Sequence, residues 1–199
     1  MASVQSVLED WVAGESDKLD IYPSRQNIAL RWINEAQLRF CDRSEMLRSV
    51  WNPTIDSTGI IALPSDFLRE IKDMVKWTAN VPLWEVDYPH AQLMNFSSPR
   101  FYSIWGNKFY VWAAASGTPS IPYIRKPKLI QNISVDDFEI PTEFQNSLTY
   151  YLESKWLKKN KDVNGSIAVL NVFDRMADEA AARYRARRDP VPIMRGSFF

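Results

Sequence analysis

Apolar residues recur at helical spacing at both ends of this chain and at strand spacing between them. Near the N-terminus Val4, Val7, Leu8 and Trp11 share one face, so residues 3–12 read as a short amphipathic helix that Gly14 ends. A second stripe repeats every four residues at Ile28, Trp32, Ala36 and Phe40, with Ile33 and Gln37 beside it. That pattern predicts a longer helix, introduced by Pro23-Ser24 with Ser24 as its N-cap and ending near Cys41–Met46.

From about Trp51 to Pro127, proline and glycine punctuate short apolar runs too often for long helices. "GIIALP" reads as a strand ending at Pro64, and "SDF" as a turn. "FLREIKDMVKW" fits either a helix, through Phe67, Ile71 and Met74, or an extended run; the preferred reading is a short turn and then a strand. The sharpest local signal is "FYSIWGNKFYVW". Gly106-Asn107 is a two-residue hairpin turn that would pair Trp105 with Lys108, Ile104 with Phe109, Tyr102 with Val111 and Phe101 with Trp112. "SIPYIRKP" adds a strand closed by Pro127.

The helical period returns at "DDFEIPTEF". Pro141 suits the first turn of a helix and Glu143 its positive end. Phe144, Leu148, Tyr151, Leu152 and Trp156 form its apolar stripe, which "KKNKDVNG" interrupts. A last helix carries Ile167, Leu170, Phe173, Ala177, Ala180, Ala181 and Tyr184 on one side and Arg183, Arg187 and Arg188 on the other. The expected class is α+β, an α-helical bundle of N- and C-terminal helices with an inserted small antiparallel β domain. The boundaries that follow are 1–50 for the first helices, 51–130 for the β-rich insertion, 131–188 for the last helices and 189–199 for an extended tail.

Charge and chemistry narrow the function. Lys+Arg and Asp+Glu both number 24, which argues against a generally basic nucleic-acid or membrane-surface binder. Basic residues nevertheless outnumber acidic ones over 151–199, and acidic ones lead over 1–50. A single cysteine, Cys41, permits no disulfide within the chain and fits a reducing compartment. Neither a signal peptide nor an 18-residue apolar run is visible. The only histidine, His90 near Asp87, could serve as a general base but reads as a surface or loop histidine, because no Ser or Cys nucleophile motif accompanies it, and Cys41 reads as a small packed hydrophobe. Metal and phosphate-loop motifs are absent, so no cofactor is expected. The carboxylates of Asp136, Asp137 and Glu139 read as helix-start electrostatics. Two basic clusters remain: Arg125, Lys126 and Lys128 beside Tyr123, and four arginines around Tyr184. Either is compatible with phosphate contact, so the alternative function is a nucleic-acid-binding module using the basic C-terminal helix and tail.

The ordered series "IALPSDFLREI", "SPRFYSIWGNKFYVW", "PYIRKPKLI" and "DDFEIPTEFQNSLTYYLESKWL" resembles the head-to-tail adaptors of tailed double-stranded DNA bacteriophages, also called connector or tail tubular proteins. The resemblance covers roughly 24–188, and residues 79–98 match nothing in it. It implies a structural virion protein and not an enzyme, assembled in the host cytoplasm. Such proteins form a ring, usually twelve-fold, between portal and tail; it extends the channel through which double-stranded DNA passes without sequence-specific contact and presents a platform for tail or nozzle proteins. Arg183, Arg185 and Arg187 then face either DNA phosphate or an acidic portal surface, and the portal is favoured because they lead into the tail. Pro190 and Pro192 stop the helix and favour extended backbone. Val191, Ile193, Met194, Phe198 and Phe199 become apolar anchors, expected to be disordered in the free monomer and to insert between portal subunits together with Arg187 and Arg188.

Overall fold

The computed structural model of the chain describes residues 3–13, 15–71, 74–78, 81–113 and 116–188. Helix α1 (Val4–Val12), a 3-10 turn (Ser16–Asp20) and helix α2 (Gln26–Ser44) come first. Strands β1 (Arg48–Trp51), β2 (Ile60–Ala62), β3 (Phe67–Glu70), β4 (Lys76–Thr78), β5 (Val81–Pro82) and β6 (Trp84–Glu85) follow. Helix α3 (Tyr88–Ala91) precedes β7 (Phe101–Trp105), β8 (Lys108–Trp112) and β9 (Ile121–Arg125). The chain then returns to helix in α4 (Thr142–Gln145), α5 (Ser147–Lys159) and α6 (Val163–Arg188). The class is α+β, and the chain divides into two compact units, one of residues 1–46 with 127–199 and one of 47–126.

In the helical unit, Ser3 caps α1: its Oγ accepts the Ser6 N–H at 3.1 Å, and Val4, Val7, Leu8 and Trp11 are all buried. The stripe of α2 buries Trp32, Ile33, Ala36, Gln37 and Phe40, but Ser24 is not its cap. The 3-10 turn runs on through successive turns, with the Arg25 N–H bonded to the Ile21 carbonyl at 3.0 Å. Ser24 therefore sits inside a turn, and Arg25 occupies the cap position with no side-chain bond. At its other end α2 stops on Glu45, left-handed at φ 55°, whose N–H bonds the Cys41 carbonyl.

Phe40 is the centre of this unit. Its ring lies 5.9 Å from that of Phe144 and 6.0 Å from that of Phe173, which in turn meets Tyr151 at 5.3 Å. On the rim, Arg39 holds both carboxylate oxygens of Asp174 at 2.9 and 2.7 Å, and Arg43 does the same to Asp178 at 2.6 and 2.8 Å.

Several expectations for the last third need correction. Pro141 is the residue before α4, not within its first turn, and the helix is broken at Asn146 into α4 and α5. Trp156 is only half-buried. Phe173, Ala177, Ala180 and Ala181 are buried as the stripe predicts, but Ile167 is 53 % exposed. Ser166 takes the inward position, its hydroxyl 3.1 Å from that of Ser154; two small side chains let α5 and α6 approach there, and Ile167 is turned outward. Nor do Asp136 and Glu139 serve a helix start. One Asp136 oxygen accepts the N–H groups of Gln131 (2.7 Å) and Asn132 (2.8 Å), and Glu139 accepts that of Lys128 (2.8 Å). These carboxylates fold the irregular stretch 127–141, which α2 also grips: Asn34 exchanges two hydrogen bonds with the backbone of Ile130, and Gln37 donates to the Lys128 carbonyl.

In the β unit, β7 and β8 pair in the register read from sequence: Phe101 with Trp112, Tyr102 with Val111, Ile104 with Phe109 and Trp105 with Lys108. Positive φ falls on Gly106 (62°) and not on Asn107, the pattern of a II′ turn with glycine at its first central position. β2 and β6 flank the hairpin in a four-stranded sheet ordered β2-β8-β7-β6, with β6 parallel to β7. β1, β9 and β3 form a second sheet, and β4 pairs with β5. "FLREIKDMVKW" takes the extended alternative, as β3 and β4. The core beneath is Trp77, Leu83, Tyr102, Phe109, Val111 and Ile121.

Two predictions follow from these local geometries. A Cβ at position 106 would meet nothing within 4 Å, so its cost is the backbone angle alone. Gly106→Val should destabilise the β unit by about 1–3 kcal/mol and Gly106→Asn by less, because asparagine tolerates the left-handed region; thermal unfolding of both variants measures the difference. The backbone N–H groups of Asn132 and Gln131 hold the Asp136 carboxyl below its ordinary value of 3.8. A depressed carboxyl contributes stability that is complete above its unfolded value and is lost as pH falls through the folded one. Asp136→Asn should therefore shrink the stability difference between pH 7 and acid conditions below that value, read as urea midpoints.

Candidate assembly surfaces

Among the described residues, the two side chains singled out for chemistry fall in different units, His90 in the β unit and Cys41 in the helical unit. His90 lies exposed on the four-residue α3, and Cys41 is buried on α2. Among the described residues no three His, Cys, Asp or Glu side chains are grouped so as to hold a metal ion. The informative features are surfaces.

The arginine-bearing end of α6 is engaged in part within its own unit. Arg183 is exposed, with its guanidinium 6.0 Å from the centre of the Phe144 ring. Arg185 reaches the carboxylate of Glu45 at 3.3 Å. Arg187 and Arg188 belong to α6, and their side chains lie outside the described residues. So does the tail with Pro190, Val191, Ile193, Met194, Phe198 and Phe199. In the second basic cluster Lys126 and Lys128 are exposed, but the aromatic member is not available beside them. Tyr123 is buried, stacked on Phe67 at 5.4 Å and donating its hydroxyl to Asp66 at 3.1 Å.

Around α5 lies a cation held by carboxylates and aromatic rings. Lys18, 4 % exposed, has its Nζ 2.6 Å from Glu153 and 3.0 Å from Glu15, between the rings of Trp11 and Trp156 at 5.6 and 5.3 Å. Trp11 Nε1 donates to Glu153 at 3.0 Å. A buried lysine is tolerated because two carboxylates and two ring faces replace its water. Nothing in the local pattern of "SDKLD" indicates burial, since both carboxylate partners and both rings lie outside that run.

The outer face of the β7–β8 hairpin carries a second surface that sequence reasoning missed. Tyr88 lies on Trp105 at 5.4 Å, on Trp112 at 5.7 Å and on Tyr110 at 4.6 Å. Phe96 covers Phe101 at 5.0 Å and Trp112 at 5.9 Å. Trp112 Nε1 donates to the Ser103 hydroxyl at 2.8 Å, and that hydroxyl donates to the Val86 carbonyl at 2.6 Å. The stretch that found no counterpart by resemblance is thus a cover for the hairpin. The signal was present: Tyr102, Ile104, Phe109 and Val111 face one way while Phe101, Trp105, Tyr110 and Trp112 face the other. A hairpin apolar on both faces needs cover on both. The cover is incomplete, for Leu93, Met94, Trp84 and Trp105 remain exposed.

The family model of the SU10 adaptor protein matches residues 2–195, nearly the whole chain and both units. The chain belongs to the SU10 adaptor protein family. It is a phage adaptor, a structural component of the virion, and membership implies association with portal and tail proteins in general. No curated protein matches it. Among the described residues no helix of this adaptor is long and apolar enough to cross a membrane. Its surfaces therefore matter as contact faces, and the arginine end of α6 and the covered hairpin are the two most distinctive.

If Tyr88 is the keystone of the aromatic cover, Tyr88→Ala should destabilise the β unit by about 2 kcal/mol or more, expose Trp112 and uncover Trp105 further. Red-shifted tryptophan emission with increased iodide quenching, in a protein whose helical circular dichroism is retained, is the expected result.

Proposed function

We propose that this adaptor is a head-to-tail connector, akin to the tail tubular proteins. Twelve copies form a ring between portal and tail, extend the channel through which double-stranded DNA leaves the head, and offer a platform to tail or nozzle proteins. It acts as a structural part without turnover or cofactor. The observation that carries the reading is the family match over 2–195, which spans both units and reaches into the C-terminal tail. The β-rich insertion, 51–130, is a separate module on the helical scaffold formed by 1–50 and 131–188.

The attachment to the portal runs through the end of α6 and the tail, by way of Arg183, Arg187, Arg188, Pro190, Val191, Ile193, Met194, Phe198 and Phe199. Pairing of Arg185 with Glu45 lowers the free positive charge that this end of α6 could offer to phosphate, while Arg183 stays exposed beside the Phe144 ring. An extended apolar segment filling a cleft would contribute roughly 1.5–3 kcal/mol per buried phenylalanine before its ordering cost. In a ring the contact repeats in every copy, so weak docking becomes tight through avidity.

A variant ending at Arg188 tests the reading. Mixed with DNA-filled, portal-bearing heads, it should fail to form stable rings and leave DNA leaking, as counted by electron microscopy and nuclease release. Stable DNA-retaining rings without residues 189–199 would exclude the tail as the lock. A steep salt-dependent affinity of the free protein for duplex DNA would instead favour the nucleic-acid-binding alternative.

A further inference from the structure

Helix α5 separates two open cavities in the helical unit. One, about 450 Å³, is lined by Asn146, the cap residue of α5, and by Thr149, Tyr150 and Glu153 from α5 itself. The other, about 340 Å³, is lined from α5 by Tyr151, Ser154, Lys155 and Lys158. At 3.6 residues per turn the two sets point about 140° apart around the helix axis. They are two flanks of one element.

The flanks differ in charge. On the first, Asp10, Glu15 and Glu153 face one lysine, Lys18, which Glu153 and Glu15 already bind. On the second, Arg39, Lys155 and Lys158 line the cavity with no carboxylate among the lining residues. Arg39 is bound by Asp174 and Lys155 by Glu35. After these internal pairings, Asp10 stands on one flank and Lys158 on the other, both exposed and, among the described residues, without an ion-pair partner. Each flank also shows apolar surface: Tyr150 on the first, and Val163 and Ile167, each more than half exposed, on the second.

We propose that these flanks are the two halves of the contact between neighbouring copies of this chain. The acidic, tyrosine-bearing side of one copy seats on the basic, aliphatic side of the next, with Asp10 opposite Lys158 and Tyr150 against Val163 and Ile167. A ring of identical subunits needs this kind of contact, in which two different patches of one surface complement each other head to tail. A two-fold dimer would instead need a self-complementary patch, which neither like-charged flank provides. The inference rests on the ring reading above and deepens it by naming the faces that meet.

The test uses the full chain assembled on portal-bearing heads. Asp10→Lys and Lys158→Asp each place like charges together and should reduce adaptor bound per head by about tenfold or more at a limiting concentration. The double variant restores opposite charges and should recover most of the loss. Thermal midpoints near that of the wild type confirm that the single variants fold. Independently, Asp10→Cys combined with Lys158→Cys should give a disulfide-linked ladder of adaptor multimers on oxidation, whereas each single cysteine should not; Cys41 is buried and does not interfere. If wild-type rings form while the reversals bind normally and no ladder appears, this interface is wrong and the ring reading stands. A cross-link from position 158 to another virion protein also overturns it. If the wild-type adaptor never multimerises on heads, the ring reading falls and the interface with it.

Discussion

The packing of α2 against α4 and α6 depends on Phe40 meeting Phe144 and Phe173. The three rings come from α2, α4 and α6, and the chain between the first and the other two leaves the unit after Met46 and returns at Pro127. No local segment can bury Phe40 alone; the side chain finds its partners only when both ends of the chain come together. The buried contact supplies the driving force, because aromatic side chains remove large apolar areas from water. Rim pairs between α2 and α6, Arg39 to Asp174 and Arg43 to Asp178, are partly exposed and contribute little energy each. Their bidentate geometry fixes how the two helices are rotated about each other. Because α6 is fixed in this way, the place of its arginine-bearing end on the helical unit is fixed too.

The β unit solves a different problem. Its hairpin is apolar on both faces, so a core on one side is not enough. Tyr88 and Phe96, from the stretch before β7, supply the second cover, and the Trp112–Ser103–Val86 chain of hydrogen bonds ties that cover to the sheet. Leu93, Met94 and Trp105 remain at the surface.

The same logic of internal pairing explains what the surfaces offer. Lys18, Arg39, Lys155 and Arg185 all look like free cations in the sequence, yet each has a carboxylate partner within the helical unit. On the two flanks of α5, what remains after these pairings is Asp10 on one side and Lys158 on the other.

Much of this was legible in the residue order. The apolar period determined where α1, α2 and α6 lie, because a stripe at 3.6-residue spacing can be buried only by a helix. Gly106-Asn107 determined the register of β7 and β8, because a two-residue turn leaves one pairing. The four quoted motifs pointed to a phage adaptor through their order, which no tertiary contact was needed to see. Other features were decided only in three dimensions. Ser24 lost the cap of α2 because the preceding turn placed it in the wrong backbone conformation. Ile167 lost its inward place to Ser166 because α5 and α6 approach closely there. Asp136 and Glu139 became braces of an irregular stretch because unpaired backbone N–H groups lay within reach. Burial of Lys18 required Glu153, more than a hundred residues away in sequence. Period and turn chemistry act over a few residues and survive in any context, whereas burial, pairing and cover depend on which distant segments arrive, and only the folded chain brings them.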